Sequence, residues 1–206
     1  MISLLKMEFL IQKQYIKTFI FAIVIISTSF IISGGISSIN AVSAVLVFLL
    51  VVTTIEVEKR SKFNLYLNSM PIKRSDYIVS KYVSALFYII LVNLICFLIY
   101  IFLDKIMNNG ITNIDYNIII LTVSMELIYI SIIEPVFILL SHKYYRIANM
   151  VTVLGIMFIV EQLYSNGLLL NTVNRYGSFI ILIVGAVMFL LSFIFINIIY
   201  SKKDVK

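Results

Sequence analysis

Charge is scarce in this sequence, and its scarcity decides the broad class of protein. Only 13% of the 206 residues are charged and 62% are hydrophobic, with a mean hydropathy of +1.08, whereas soluble domains carry roughly 25% charged residues. From Thr18 to Ile55 no charged side chain occurs at all. Because about 20 apolar residues are enough for one helical membrane crossing, we predict an integral membrane protein with two crossings in this run.

The residues that build catalytic and metal centres are also rare. His142 is the only histidine and Cys96 the only cysteine, which excludes a two-histidine zinc site, a cysteine-rich metal site and an intrachain disulfide. None of the seven glycines is followed by lysine, so the phosphate-binding Gly-Lys-Ser/Thr loop is missing. We therefore expect no catalytic residue, no metal site and no cofactor on this chain.

The hydrophobic runs predict an all-α integral membrane protein that forms one domain over residues 1–206. The runs are continuous and lack the alternation of a barrel strand that faces lipid. The segment SGGISSIN separates the first two runs, because paired glycines and small polar residues favour a turn. The predicted transmembrane helices are six, at about 15–32, 40–57, 82–103, 116–140, 147–164 and 176–200.

Lysine and arginine are unevenly distributed between the predicted loops. With both termini in the cytoplasm, all of the 16 Lys and Arg residues except Lys105 and Arg175 fall on the cytoplasmic side. Cytoplasmic loops are enriched in these residues, so this orientation in a plasma membrane is the predicted one. The net charge of +6 then needs no nucleic-acid partner, since a basic cytoplasmic surface faces anionic lipid.

The N-terminal segment has the pattern of an amphipathic helix at the inner membrane surface. Its apolar residues fall on one broad helical face and its lysines cluster on another. The alternative is that this segment is simply the beginning of the first transmembrane helix. The apolar residues are Ile2, Leu5, Phe9 and Ile16, and the lysines are Lys6, Lys13 and Lys17.

Two carboxyl groups lie within the fourth predicted span, where an ionised group costs about 2.5 to 3.5 kcal/mol. Glu126 is predicted at the same depth as Asn93 of the antiparallel third span, so the two can hydrogen-bond, either as interhelical contact or as part of a transport path. Glu134 lies within two turns of the cytoplasmic end, where we expect water to reach it. Pro135 leaves the carbonyl of Ser131 without its helical donor and favours a kink.

A polar segment, SKFNLYLNSMPIKRSDYIVSKY, begins at Ser61 and leads into the third span. Four of its apolar residues are spaced i, i+3, i+4 and i+7, which predicts a short helix with one apolar stripe that ends at Pro71. Ser75 and Asp76 are predicted as the N-cap and first turn of the next helix. The apolar stripe of so short a helix must be buried, either against lipid or against a partner protein. Its residues are Phe63, Tyr66, Leu67 and Met70.

These features resemble the permease subunits of bacterial type-2 ABC exporters, especially the small permeases that export phenol-soluble modulins and antimicrobial peptides. In that family a lysine-bearing interfacial helix precedes six spans. The loop between the second and third spans then consists of a short helix followed by the sequence Leu-Pro, an Arg, an acidic residue and Ser/Gly-Lys. Methionine stands here in place of the commoner leucine. The matching residues are Met70, Pro71, Arg74, Asp76, Ser80 and Lys81.

The resemblance implies a permease of an ATP-driven exporter of peptides or drugs in a bacterial plasma membrane. The permease would pair with a second one, in a homodimer or heterodimer, and with two copies of a separate ATPase that binds ATP and Mg²⁺. The short loop helix would be the coupling helix that docks on this ATPase, while Arg74 and Lys81 would contact lipid headgroups. The ATPase-coupling residues would be Phe63, Tyr66, Leu67, Met70, Pro71, Arg74 and Asp76.

Two other classes of function stay open on the sequence. An ion-coupled secondary carrier would bind its coupling cation at Glu126 and Glu134. Inverted repeats would favour that class, but residues 1–103 and 104–206 show no convincing repeat. A membrane-embedded assembly or sensor protein without transport activity is the other alternative. An ATPase that copurifies with the chain would favour the exporter over both.

Overall fold

The computed structural model describes residues 4–13, 39–61, 74–106, 116–140, 142–165 and 175–202, together with positions 15, 17, 20, 21 and 24. These residues are helical except at the helix ends Ser61 and Leu140, which confirms the all-α prediction for the described part of the chain. The helices are α1 (4–13), α2 (Ile39–Arg60), α3 (Arg74–Ile106), α4 (Tyr116–Leu139), α5 (His142–Ser165) and α6 (Arg175–Lys202).

Three of these helices contain a segment long and apolar enough to cross a membrane, as judged over the described residues. The segments are Arg74–Ile99 in α3, Asn117–Leu139 in α4 and Gly177–Tyr200 in α6, and they correspond to the third, fourth and sixth predicted spans. The predicted first span lies largely outside the described residues. The count of six spans therefore stays a prediction.

The beginning of α3 differs from its predicted position. The helix already includes Arg74, so Ser75 lies inside it and the prediction of Ser75 as the N-cap is wrong. Asp76 does lie in the first turn, where a carboxylate interacts favourably with the positive end of the helix dipole. Arg74 and Asp76 are both half-buried.

Helix α4 is central to the described bundle. It contacts α2, α3, α5 and α6. Half of the most apolar 18-residue stretch of α4 is buried, compared with 17% of the corresponding stretch of α6. The helix continues through Pro135 to Leu139. Polar side chains on α4 must therefore find their partners inside the protein.

Buried residues recur at helical spacing on the neighbouring helices, and the spacing explains which charges point inward. On α2, Val47, Val51, Ile55 and Glu58 are buried at intervals of four, four and three residues. Residues three or four apart share one face of a helix. Glu58 therefore continues the core face of α2 although its side chain is charged.

Helix ends that the sequence places in the cytoplasm lie together in the structure. The ring centroids of Tyr77, in α3, and Tyr200, in α6, are 6.3 Å apart. Lys59 Nζ, in α2, donates to the carbonyl oxygen of Leu140, after α4, at 2.8 Å. The long helices consequently alternate in direction. We call this end of the bundle, formed by residues 58–61, 74–81, 140, 142–146 and 200, the basic end.

Helices α4 and α6 lie in close contact at a glycine. A Cβ atom added at Gly185 would lie 3.0 Å from the carbonyl oxygen of Ser124. Gly155 on α5 has no atom within 4 Å of the same added Cβ. A close helix contact is therefore present at Gly185, whereas none is present at Gly155 within the described bundle.

Candidate functional site

The predicted ATPase-coupling residues divide between a part of the chain that the structure describes and a part that it does not. Arg74 and Asp76 belong to the first turn of α3, and the guanidinium carbon of Arg74 lies 6.0 Å from the ring centroid of Tyr200. The apolar stripe and its proline lie outside the described residues. They are Phe63, Tyr66, Leu67, Met70 and Pro71.

The predicted hydrogen bond between the third and fourth spans is confirmed. Asn93 Nδ2, in α3, donates to Glu126 Oε2, in α4, at 2.7 Å, and the same amide donates to the carbonyl of Ile89 at 2.9 Å. Glu126 is fully buried. Ser43 of α2 approaches its carboxyl, and its Oε1 has no hydrogen bond within the described residues. The pair joins α3 to α4, and its part in transport stays a prediction.

The carbonyl that Pro135 leaves without a helical donor is satisfied by a neighbouring helix. Ser192 Oγ, in α6, donates to the Ser131 carbonyl oxygen at 2.7 Å. Tyr82 OH, in α3, lies 2.7 Å from the same Ser192 oxygen and donates to it, since the Ser192 proton is already used. This chain of hydrogen bonds joins α3, α6 and α4 at one level.

Glu134, next to the proline, is enclosed by the basic end of the bundle. Only 3% of its surface is exposed, so the expectation that water reaches it is wrong for the described chain. Its Oε2 has no hydrogen-bond partner among the described residues. The charged groups that act on it are Lys81, Glu8 and Glu58.

Lys81 is the centre of a buried polar cluster, and its predicted contact with lipid headgroups is wrong. The residue is 2% exposed. Its ammonium donates to Glu58 Oε1, in α2, and lies 3.2 Å from Glu8 Oε1, in α1. Tyr77 OH donates to the other oxygen of Glu58 at 3.0 Å. We call Glu8, Glu58, Tyr77 and Lys81 the Lys81 cluster.

Two features dominate the electrostatics of the cluster: its burial, and the presence of two carboxyl groups around one ammonium group. Burial raises the pKa of Glu8; Lys81 opposes this shift and Glu58 adds to it. The Lys81 ammonium also lies 5.4 Å from the ring centroid of Phe137, in α4, a cation–π distance. The cluster thus joins side chains from α1, α2 and α3 and lies against Phe137 of α4.

Glu8 and Glu58 are not among the site residues predicted from the sequence, although a signal for both is present. Glu8 follows Leu4 by one helical turn, and both are buried. Glu58 continues the core spacing of Val51 and Ile55 on α2. A charged residue at core spacing near a helix end indicates a buried ionic partner, because a lone buried charge is very costly.

Helix α1 packs against the bundle through a face other than the apolar one that is predicted to lie at the membrane surface. Its buried residues are Leu4 and Glu8, whereas Phe9, on the predicted apolar face, is 38% exposed and its ring centroid lies 4.9 Å from that of Phe87 in α3. Lys6 and Lys13 are exposed as predicted. The location of α1 at a membrane surface stays a prediction.

The described residues contain no group of three or more His, Cys, Asp or Glu side chains that is arranged to hold a metal ion. Cys96 is a buried free thiol and packs in the core with Val92. The polar side chains described above contact each other across helix boundaries.

Comparison with protein-family models matches residues 3–204 to the family described as "ABC-2 family transporter protein". Comparison with curated proteins and with solved structures gives no match. The family match covers nearly the whole chain and agrees with its long apolar helices. The chain therefore belongs to the ABC-2 transporter family, as a membrane-embedded permease subunit that works with an ABC ATPase.

Proposed function

We propose that the chain is the permease of an ATP-driven exporter in a bacterial plasma membrane, and that its cargo is an amphipathic or antimicrobial peptide or a drug. The observation that carries this proposal is the family match over residues 3–204. No Gly-Lys phosphate-binding loop occurs in these residues, so ATP and Mg²⁺ belong on a partner chain. A second permease and two ATPase copies complete the assembly. The peptide cargo rests on the resemblance of Met70–Pro71 and its flanking residues to small peptide exporters.

The ATPase docks, in this proposal, on the segment of residues 62–73 that joins α2 to α3. The contact between Glu58 and Lys81 holds the end of α2 beside the beginning of α3, so both residues that flank the connecting segment, Ser61 and Arg74, belong to the basic end. The positive-inside rule assigns that end to the cytoplasm, where an ATPase is found. The proposed apolar contact is made by Phe63, Tyr66, Leu67 and Met70.

Replacing two aromatic residues of this segment tests the docking. Truncation of a buried aromatic anchor often costs about 2 kcal/mol or more, which is roughly a thirtyfold loss of affinity. Phe63→Ala combined with Tyr66→Ala should therefore reduce the amount of ATPase that copurifies, without changing membrane insertion. Arg74→Lys is the control and should have a mild effect. Undiminished copurification, with only a weaker attachment to lipid, would reject this segment as the docking site.

The direction and cargo of transport are tested with inside-out membrane vesicles that contain the permease and its ATPase. A fluorescent amphipathic cationic peptide added outside should accumulate in the vesicle lumen when ATP is present. A non-hydrolysable ATP analogue should give no accumulation. Failure of the peptide to accumulate, although ATP is hydrolysed by the complex, would reject this cargo and retain the permease.

An ion-coupled carrier is the second candidate, and one observation favours it. Glu126 and Glu134 each have a buried carboxyl oxygen without a hydrogen bond among the described residues. Buried carboxyl groups in membrane helices often bind the coupling cation of a carrier. A carrier would transport without the ATPase and would stop when the ion gradient is abolished, whereas the proposed exporter needs ATP under both conditions.

A further inference from the structure

We propose that Lys81 is a positioning residue, which makes α1 move with the two helices that flank the ATPase-docking segment. The proposal rests on the docking proposed above and assigns to the Lys81 cluster a part in coupling. Through Glu8, α1 becomes a second element, besides the docking segment, that responds to the ATPase. Its basis is the position of three ionic groups relative to the ends of α2 and α3.

The first step concerns the two ends of the docking segment. Glu58 lies two residues before the end of α2, and Lys81 lies in the second turn of α3. Their direct contact, reinforced by the hydrogen bond from Tyr77 to Glu58 at 3.0 Å, joins the two helices at the base of the segment. A force applied to the segment therefore displaces both helix ends together.

The second step concerns α1. Glu8 reaches the same ammonium at 3.2 Å, and both groups are almost fully buried. If α1 stayed in place while α3 moved, one buried charge would lose its partner, which is strongly unfavourable. The edge-to-face contact between Phe9 and Phe87 has a geometric preference of its own, but its loss would leave no charge without a partner. Gln12 Nε2 of α1 also donates to the carbonyl oxygen of Leu50 in α2 at 2.9 Å, which holds α1 to α2. The ionic contact with Lys81 makes α1 follow α3 as well.

Stability alone is a poor explanation for the ionic groups of the cluster. Replacing a buried ion pair by hydrophobic side chains of similar volume is often neutral or stabilising. The same positions on α1, α2 and α3 continue stripes of apolar core residues, so apolar side chains would fit the packing. What ionic groups add is a fixed geometry between three helices.

The test uses Glu8→Gln in the complete complex of permease and ATPase. The amide has the size of the carboxyl group and its oxygen still accepts a hydrogen bond from Lys81, but the ionic attraction is removed. The matched control is Glu56→Gln on α2, because Glu56 is partly exposed and pairs with Arg60 at the surface at 3.1 Å. Both variants are made in a Cys96→Ala background.

Two single cysteines report the movement. Lys13→Cys lies on the exposed face of α1, and Ser61→Cys lies at the exposed end of α2. The rate of reaction with a thiol reagent is measured with the ATPase free of nucleotide and trapped with ATP and vanadate. In the parent protein both rates should change on trapping. Glu8→Gln should reduce the change at position 13 roughly fivefold or more, a typical allosteric coupling, and keep the change at position 61. Glu56→Gln should leave both changes intact.

Each contrary outcome has a distinct meaning. An unaltered response at position 13 in Glu8→Gln would overturn the proposal, and so would loss of the response at both positions, since that pattern indicates a purely structural role. If Glu8→Gln does not fold, Glu8→Asp replaces it. Aspartate keeps the charge but its side chain is shorter and does not reach Lys81 in the same way. A response at position 13 equal to that of the parent protein would again overturn the proposal. Absence of the ATPase from the purified parent complex would instead reject the proposed function.

Discussion

Ser192 Oγ lies 2.7 Å from the carbonyl oxygen of Ser131 and donates to it a hydrogen bond that the helix itself cannot supply. Pro135 occupies the position whose N–H would normally bond to this carbonyl. The hydroxyl of α6 thus replaces the missing backbone donor of α4, in a membrane segment where an unsatisfied carbonyl is costly. The arrangement explains how the central helix continues through a proline.

We expect Ser192→Ala to destabilise the protein by about 1 kcal/mol, because the buried carbonyl of Ser131 loses its donor. Pro135→Ala restores a backbone N–H to that carbonyl, so the cost of Ser192→Ala should be clearly smaller in the Pro135→Ala background. The measurement is unfolding of the purified permease in detergent with all four members of a double-mutant cycle. Equal costs in both backgrounds would show that Ser192 acts mainly through Tyr82.

A methyl group at Gly185 should push α4 and α6 apart. The added Cβ would lie 3.0 Å from the backbone oxygen of Ser124, which cannot rotate away, so we expect Gly185→Ala to destabilise the bundle by about 1 to 3 kcal/mol. Gly155→Ala is the control, since its Cβ meets no atom within 4 Å and alanine favours a helix. The same unfolding assay applies, and equal stability of the two variants would contradict the close contact.

Glu126→Gln distinguishes an interhelical contact from a transport path. Glutamine still accepts the hydrogen bond from Asn93, so we expect folding and ATP-driven transport to remain within about twofold of the parent protein if the pair is a helix contact worth about 0.6 kcal/mol. Glu126→Leu, which cannot accept the bond, should lower stability. A well-folded Glu126→Gln protein without transport would support the ion-coupled carrier.

The predicted orientation is tested by cysteine labelling of intact cells in a Cys96→Ala background. A cysteine at Asn109 should react with a membrane-impermeant thiol reagent, whereas cysteines at Ser61 and Tyr144 should not. Both of these residues are exposed in the structure, so their protection would come from the membrane and should vanish on permeabilisation. Labelling of Ser61→Cys in intact cells would invert the topology and reject the proposed ATPase docking.

The sequence predicts a contact correctly where depth in the membrane and residue spacing along the helices are enough to define it. Asn93 and Glu126 are placed at one level by counting residues along two antiparallel helices, and they do bond. Counting also locates the carbonyl left free by Pro135, but it does not identify the partner. Ser192 is 61 residues away in the chain, and only the packing of α6 against α4 brings it there.

Lys81 shows why charge patterning alone misplaced a residue. Near a predicted membrane boundary a lysine is normally expected at the lipid headgroups, and the two acidic residues that enclose it come from distant parts of the chain. Burial of Lys81 depends on α1 folding back against α3, a long-range contact that no local pattern specifies. Glu134 is likewise buried, in contrast to the prediction that water reaches it.

The sequence by itself determined that this protein is a helical membrane protein, because its long apolar runs have few stable alternatives in a bilayer. It also determined the oppositely directed helices and the gathering of basic residues at one end. The tertiary structure decided which polar groups meet: Ser192 with Ser131, and Lys81 with Glu8 and Glu58. Local spacing fixes the face of a helix on which a side chain lies, whereas the identity of its partner follows only from how the helices rotate and pack.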